Sequence, residues 1–533
     1  MTDHHPPFPV TPSLAVRQAL LDRAEIALID VREEDPFAQQ HPLWAANFPL
    51  SRIELDAWTR IPRRDTRIVV YGTHDGEDLA PRAAARLRAL GYTDVSLLDG
   101  GLDAWIAAGG EVFRDVNVPS KSFGELVEAR RHTPSLSAPE VQALIDSQAD
   151  VVIVDARRFD EYQTMNIPTS TSLPGAELVL RIRELAPDPR TQVIVNCAGR
   201  TRSIIGTQSL VNAGIPNPVA ALRNGTIGWT LAGQKLAHGA SRRAPAQVEA
   251  ANLAQAREGA RAIAERAGVR RIALDGLASL TAPARTVYRF DVRTPEEYAD
   301  GHLPGFASAP GGQLVQETDH QAPVRGARIV LADDDGVRAN MTGSWLAQMG
   351  WEVYVVDGAT AADRAERGTP APQHPAPPEV ATVAPATLAG WLDAGDAAVI
   401  DVTTSANYVK RHIPGAWFAI RAQLKQALAV IPPARRLVLT CGSSLLARFA
   451  AADLRGLTDA EVFVLEGGTA AWAAAGLPVE AGETRLAVPR TDRYRRPYEG
   501  TDNAAAAMQA YLDWEFGLIA QLERDGTHFF DVA

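Results

Sequence analysis

The segment IVNCAGRTRS, Ile194 to Ser203, ends an apolar run in a thiol and follows it with a glycine and two guanidinium groups. The 533-residue chain holds two cysteines, Cys197 here and Cys441 in LVLTCGSSLLA. A thiol near its reference pKa of about 8.5 is mostly protonated at neutral pH, and the thiolate is the nucleophile. Arg200 and Arg202 place positive charge close to Cys197 in the chain, and guanidinium forks suit the oxygens of a tetrahedral anion. The pattern points to nucleophilic chemistry on an anionic substrate. The plainer reading is a buried, inert cysteine beside two solvated arginines. What weighs against it is where the two cysteines fall in a larger pattern.

That pattern is a unit written four times. An apolar strand ending in aspartate recurs as IALIDVREEDPF, VVIVDARRFDEY, VYRFDVRTPEEY and AAVIDVTTSANY, with its aspartate at Asp30, Asp155, Asp291 and Asp401. A second strand recurs as RIVVYG, QVIVNC, RIVLAD and RLVLTC, ending at Gly72, Cys197, Asp333 and Cys441. The two positions stand 42 residues apart in three units and 40 in the fourth. A third strand closes each unit in VSLLDGGLDAW, VAALRNGTIGW, VYVVDGATAAD and VFVLEGGTAAW, with Trp105, Trp229, Asp363 and Trp472 at the end. Alanine- and leucine-rich helical segments such as LAPRAAARLRALGY follow the second strands and stop at a glycine. Short apolar strands alternating with helices, with no hairpin signals between them, describe an α/β fold: a small parallel sheet with helices on both faces. Both cysteines stand at the same point of two different copies.

These signatures together resemble the rhodanese (sulfurtransferase) family. The likeness rests on DARRFDEY with NIPTST in unit two, DVRTPEEYADGHLPG in unit three, RHIPGA in unit four, and the LxGGxxAW closure in units one and four. It covers about four fifths of the chain. It implies four tandem rhodanese-like domains at 11–118, 134–243, 270–368 and 379–482, with a helical C-terminal tail over 483–533. In that family the cysteine ends the fourth strand and opens a six-residue loop leading into a helix. By position, the resemblance makes Cys197 and Cys441 nucleophiles, with Ala198, Gly199, Arg200, Thr201, Arg202 and Ser203 forming one binding loop. Gly442, Ser443, Ser444, Leu445 and Leu446 form the other.

Such a loop offers backbone N–H groups and the positive end of a helix dipole to the sulfur, favouring thiolate. The implied reaction is a double displacement. The thiolate takes the outer sulfur of thiosulfate or a similar donor, sulfite leaves, and a thiol or cyanide removes the sulfur from the persulfide. No metal or organic cofactor is required. Phosphatases of the cell-cycle type place five residues between cysteine and arginine, whereas four separate Cys197 from Arg202, so a phosphatase-like hydrolase is disfavoured. A persulfide carrier or scaffold serving a partner enzyme is the remaining alternative.

Unit two is the expected principal site. In unit four, Ser444 stands where glycine is expected, Leu446 replaces threonine, no cation precedes Arg448 in the loop, and Thr403 replaces the arginine found at Arg32, Arg157 and Arg293. Unit one has Gly72 and a loop carrying Asp75, Glu77 and Asp78; unit three has Asp333, Asp334 and Asp335. Neither has a nucleophile, and clustered carboxylates repel an anionic donor. These units are expected to be structural. The repeated aspartates, Glu161, Glu297 and the three tryptophans are expected to be structural as well, and DDDG is not read as a metal site.

A net charge of −11 argues against nucleic-acid or anionic-membrane partners. No apolar run approaches a membrane span, and MTDHHPPFPV has no secretory pattern. With two cysteines far apart, a reducing cytoplasm is the expected location. Between units, 364–385 is proline-rich and reads as an extended spacer, 244–267 reads as a linking helix, and 503–526 reads as a helix packed on a domain.

Overall fold

The computed structural model describes residues 8–74, 78–282 and 284–533. Each repeat builds one five-stranded parallel sheet, and all four sheets share one order: first, fifth, fourth, second and third in chain sequence. The strands that the repeats carry form the middle of each sheet. In unit two Ile153 pairs with Ile194 and Ile194 with Ala220; in unit four Val399 pairs with Val438 and Val438 with Phe463. These strands are apolar on both faces because helices cover both faces of a parallel sheet. Two-residue strands such as Ser135–Leu136 and Thr171–Ser172 complete the edges. They are too short to show a period in the sequence. The fourth strand is central, so the loop at its carboxyl end opens where α/β sheets bind ligands.

The expected linking helix spans Ala250–Arg266 and packs between helices Leu178–Leu185 and Arg338–Gln348 of units two and three. Residues 367–381 contain neither helix nor strand and are mostly exposed. The tail forms two helices, Ala505–Phe516 and Leu518–Asp525, rather than one. Its last residues are clasped between units one and three. The Trp44 indole donates to the Thr527 carbonyl at 3.2 Å, Phe530 stacks edgewise on Trp44, and the Asp531 amide donates to the Gln348 carbonyl.

The units are fused rather than strung. One apolar cluster runs through units one, three and four, and another joins unit two to the linking helix and to Val337 and Met341 of unit three. Across the boundary of units one and four, Arg421 grips Glu54 with bonds of 2.7 and 2.9 Å, its side chain 2% exposed. Among the described residues no helix is long and apolar enough to cross a membrane.

Candidate active site

In unit four the strand Arg436–Thr440 stops, and four residues later the helix Leu445–Asp453 begins. Ser444 makes the turn at φ 76°, a left-handed conformation that a side chain resists. The turn curls the main chain around Cys441, whose sulfur takes hydrogen bonds from the amides of Ser443, Leu446 and Ala447. The closing helix Gly468–Ala474 turns the loop carbonyls the other way: the Thr469 amide donates to the Cys441 carbonyl at 2.8 Å and the Ala470 amide to that of Gly442 at 3.2 Å. Gly468 has no side chain because a Cβ there would stand 2.2 Å from the Cys441 carbonyl oxygen. The glycine pair of LEGGTAAW thus seats the closing helix on the loop.

A cavity of about 440 Å³ opens on this loop at Gly442, lined also by Asp401, Thr403, Asn407, Lys410, Arg411, Thr469 and Ala470. Lys410 and Arg411 are exposed at its rim. Burial pushes the Cys441 thiol above its ordinary range, and the three amides pull against that rise.

Unit two departs from this plan at the equivalent turn. Arg200, three residues after the cysteine as Ser444 is, takes φ −119°, and the Ser203 amide hydrogen-bonds the Cys197 sulfur. The thiol itself donates to the Ser203 hydroxyl at 3.4 Å. Cys197 is 1% exposed, and its burial pushes the thiol up. The tail covers the loop: a Cβ on Gly199 would stand 3.2 Å from Tyr511 Cε1 and 3.5 Å from Glu515 Oε2.

Both expected cations are paired with carboxylates, and Arg202 still pulls the Cys197 thiol down against its burial. Arg200 binds Glu125 at 2.7 and 2.8 Å, Glu128, and Asn224 at 3.1 Å, under the Phe516 ring. Arg202 forks onto Glu161 at 2.8 and 2.9 Å and holds that carboxyl down at about 2. Cys197 therefore keeps one of its two expected cations, Arg202, but lies buried rather than exposed to a donor. The arginines are pinned by carboxylates from other elements, and a tail helix read only as packing roofs the loop. Thr201 begins the helix, Ala198 gives its carbonyl to the Ile227 amide at 3.1 Å, and Ser203 holds the sulfur.

Unit three fills its own cradle. Asp333 accepts the Gly336 and Ala339 amides at 3.1 and 2.8 Å, and Asp335 accepts those of Val337 and Arg338 at 2.6 and 2.9 Å. The carboxylates occupy the amides that an anion would need, rather than merely repelling it. In unit one the Gly72 carbonyl accepts the Leu102 amide, while Asp75 and Glu77 lie outside the described residues. Among the described residues no cluster of His, Cys, Asp and Glu could hold a metal ion. Trp105, Trp229 and Trp472 are buried, and Asp30, Asp155 and Asp291 pair with their arginines.

Cys441, Gly442, Ser443, Ser444, Leu445 and Leu446 therefore come together as one loop around the sulfur. The Ala447 amide and the rim cations Lys410 and Arg411 join the site from outside the expected loop. A signal for the cations was present: at those two positions the other units carry Gln39 and Gln40, Thr164 and Met165, and Asp300 and Gly301.

The family model for the rhodanese-like domain matches residues 14–108, 137–232, 278–365 and 384–475. No curated protein matches the chain. A crystal structure of thiosulfate sulfurtransferase from Pseudomonas aeruginosa is similar at 66% identity, covering 98% of this chain and 99% of that chain with a TM-score of 0.96. The Alr3790 protein from Anabaena sp. matches 20% of this chain over 84% of its own, at 28% identity and a TM-score of 0.19. A rhodanese-related protein from Thermoplasma volcanium matches 19% over 97% of its own, at 18% identity and a TM-score of 0.17.

Proposed function

The chain belongs to the rhodanese family, and on that premise we propose that it moves sulfane sulfur from thiosulfate to a thiol or cyanide acceptor with Cys441 as the principal nucleophile. The observation that carries the assignment is the set of three main-chain amides on the Cys441 sulfur, in a loop whose Gly442 lines a cavity with Lys410 and Arg411. Fixed amides aimed at a site of developing negative charge stabilise it without reorganising.

Thiosulfate enters as an anion, its sulfonate oxygens facing Lys410 and Arg411 at the rim. The Cys441 thiolate, its proton released to solvent, attacks the outer sulfur. The S–S bond of the donor breaks, and sulfite leaves with the electron pair. The amides of Ser443, Leu446 and Ala447 then hold the persulfide. An acceptor thiolate or cyanide attacks the outer sulfur, and Cys441 leaves again as thiolate. Neither half-reaction draws on a metal or organic cofactor. Cys197 serves as a second, covered thiol, and units one and three serve as scaffold. Two unpaired cysteines fit a reducing cytoplasm.

Thiosulfate-to-cyanide transfer by purified protein tests the reading. Cys441→Ser abolishes turnover and the gain of one sulfur on the Cys441 peptide by mass spectrometry, while Cys197→Ser retains both. Turnover that depends on Cys197 instead reverses the assignment. Persulfide loading without turnover favours the carrier.

A further inference from the structure

In three units the aspartate that ends the first of the repeated strands is closed by the chain's own cation. Arg32, Arg157 and Arg293 stand two residues beyond Asp30, Asp155 and Asp291 and donate through Nη2 to their carboxylates at 2.5, 2.7 and 2.7 Å. The same Nη2 donates to a carbonyl eight residues further on, that of Gln40, Met165 or Gly301, at 2.8, 2.6 and 2.6 Å. Carboxylate and carbonyl form a socket of guanidinium shape, filled each time from within.

Unit four keeps the socket and lacks the filling. Thr403 stands at the arginine position, and Asp401 retains the accompanying main-chain bond, accepting the Thr403 amide through Oδ1 at 2.9 Å. Its Oδ2 is buried and without a hydrogen-bond partner. Arg411 is the residue eight beyond Thr403, in the place of the carbonyl donors Gln40, Met165 and Gly301. Asp401, Thr403 and Arg411 all line the cavity that reaches Gly442. An unpaired carboxylate of this kind costs stability until a cation meets it.

We infer that this socket binds a guanidinium or primary ammonium group supplied from outside the chain, with Asp401 Oδ2 and the Arg411 carbonyl as its acceptors. If the proposed role of Cys441 is right, the occupant has a use. A small aminothiol seated by its cation presents its thiolate to the persulfide. The new S–S bond forms as the bond to the Cys441 sulfur breaks, leaving Cys441 thiolate and an aminothiol persulfide, with the acceptor's proton released to solvent. The groups facing Asp401 are Tyr408, Cys441 and, at the rim, Lys410 and Arg411. Burial without a partner pushes the Asp401 carboxyl up to about 7, so a cation binds more tightly as pH rises through that value.

Thermal unfolding of the full chain with methylguanidinium, against equal tetramethylammonium, which has no N–H to donate, tests the socket. Methylguanidinium raises the wild-type midpoint and leaves Asp401→Asn and Thr403→Arg unmoved; Thr403→Arg restores the pairing of the other three units. In transfer assays cysteamine exceeds 2-mercaptoethanol in kcat/KM by about tenfold, the order of one charge-assisted hydrogen bond, and Thr403→Arg removes the preference. An unresponsive wild type overturns the inference, as does a Thr403→Arg variant that responds like wild type. A response seen only after Lys410→Ala and Arg411→Ala also overturns it, since the socket is then filled from the rim. Cys441→Ser keeps the thermal response, so transfer that survives this variant defeats the nucleophile assignment and leaves the socket standing.

Discussion

Ser444 holds φ 76° because the chain must turn there to bring three amides onto one sulfur. A left-handed conformation costs a residue with a side chain about 1–2 kcal/mol, part of which glycine gives back through greater freedom when unfolded. Ser444→Gly is therefore expected to raise stability by roughly 0.5–1 kcal/mol, read by thermal unfolding, with transfer activity retained. A loss of stability would mean that the serine side chain contributes more than the strain removes. The same position in unit two shows why the surroundings of Cys197 were not legible in the sequence. Arg200 and Arg202 stand beside Cys197 in the chain, and proximity suggests activation. Their partners Glu125, Glu128 and Glu161 lie on other elements, at separations no local pattern reveals.

The helix Ala505–Phe516 showed its helical spacing in the sequence, but an apolar face says only that a helix packs, not what it packs over. Here Met508, Tyr511 and Leu512 meet Ile227 of unit two and roof the Cys197 loop. In wild type, iodoacetamide is expected to label Cys441 quickly and Cys197 slowly. Truncating a buried aromatic costs roughly 3 kcal/mol and local opening gates labelling, so Tyr511→Ala should speed the Cys197 peptide at least about tenfold. Equal rates in the two proteins would show that the helix is no barrier. Burial pushes Glu515 up to about 8, so docking favours its neutral form. The cover is firmest below the ordinary carboxylate range and loosens as pH rises toward 8. Glu515→Gln should flatten the rise in the ratio of Cys197 to Cys441 labelling across that window.

At the scale of the whole molecule, the four copies and their parallel sheets were legible because strand, loop and closing motif repeat in register. Their assembly was not, because it rests on contacts between distant segments, such as Arg421 with Glu54 across units one and four. Arg421 also binds Asp453, and Arg86 faces both carboxylates, so Arg421→Ala takes one of two cations from a buried network and is expected to cost about 3 kcal/mol, seen as a lower unfolding midpoint. An unchanged midpoint would show the two units to be held together without Arg421. The tail also imposes an order in time. A ribosome makes unit two well before residues 498–516, and at roughly 5–20 residues per second the interval lasts tens of seconds. For that interval the Cys197 loop of a nascent chain is without the roof that the finished chain closes over it.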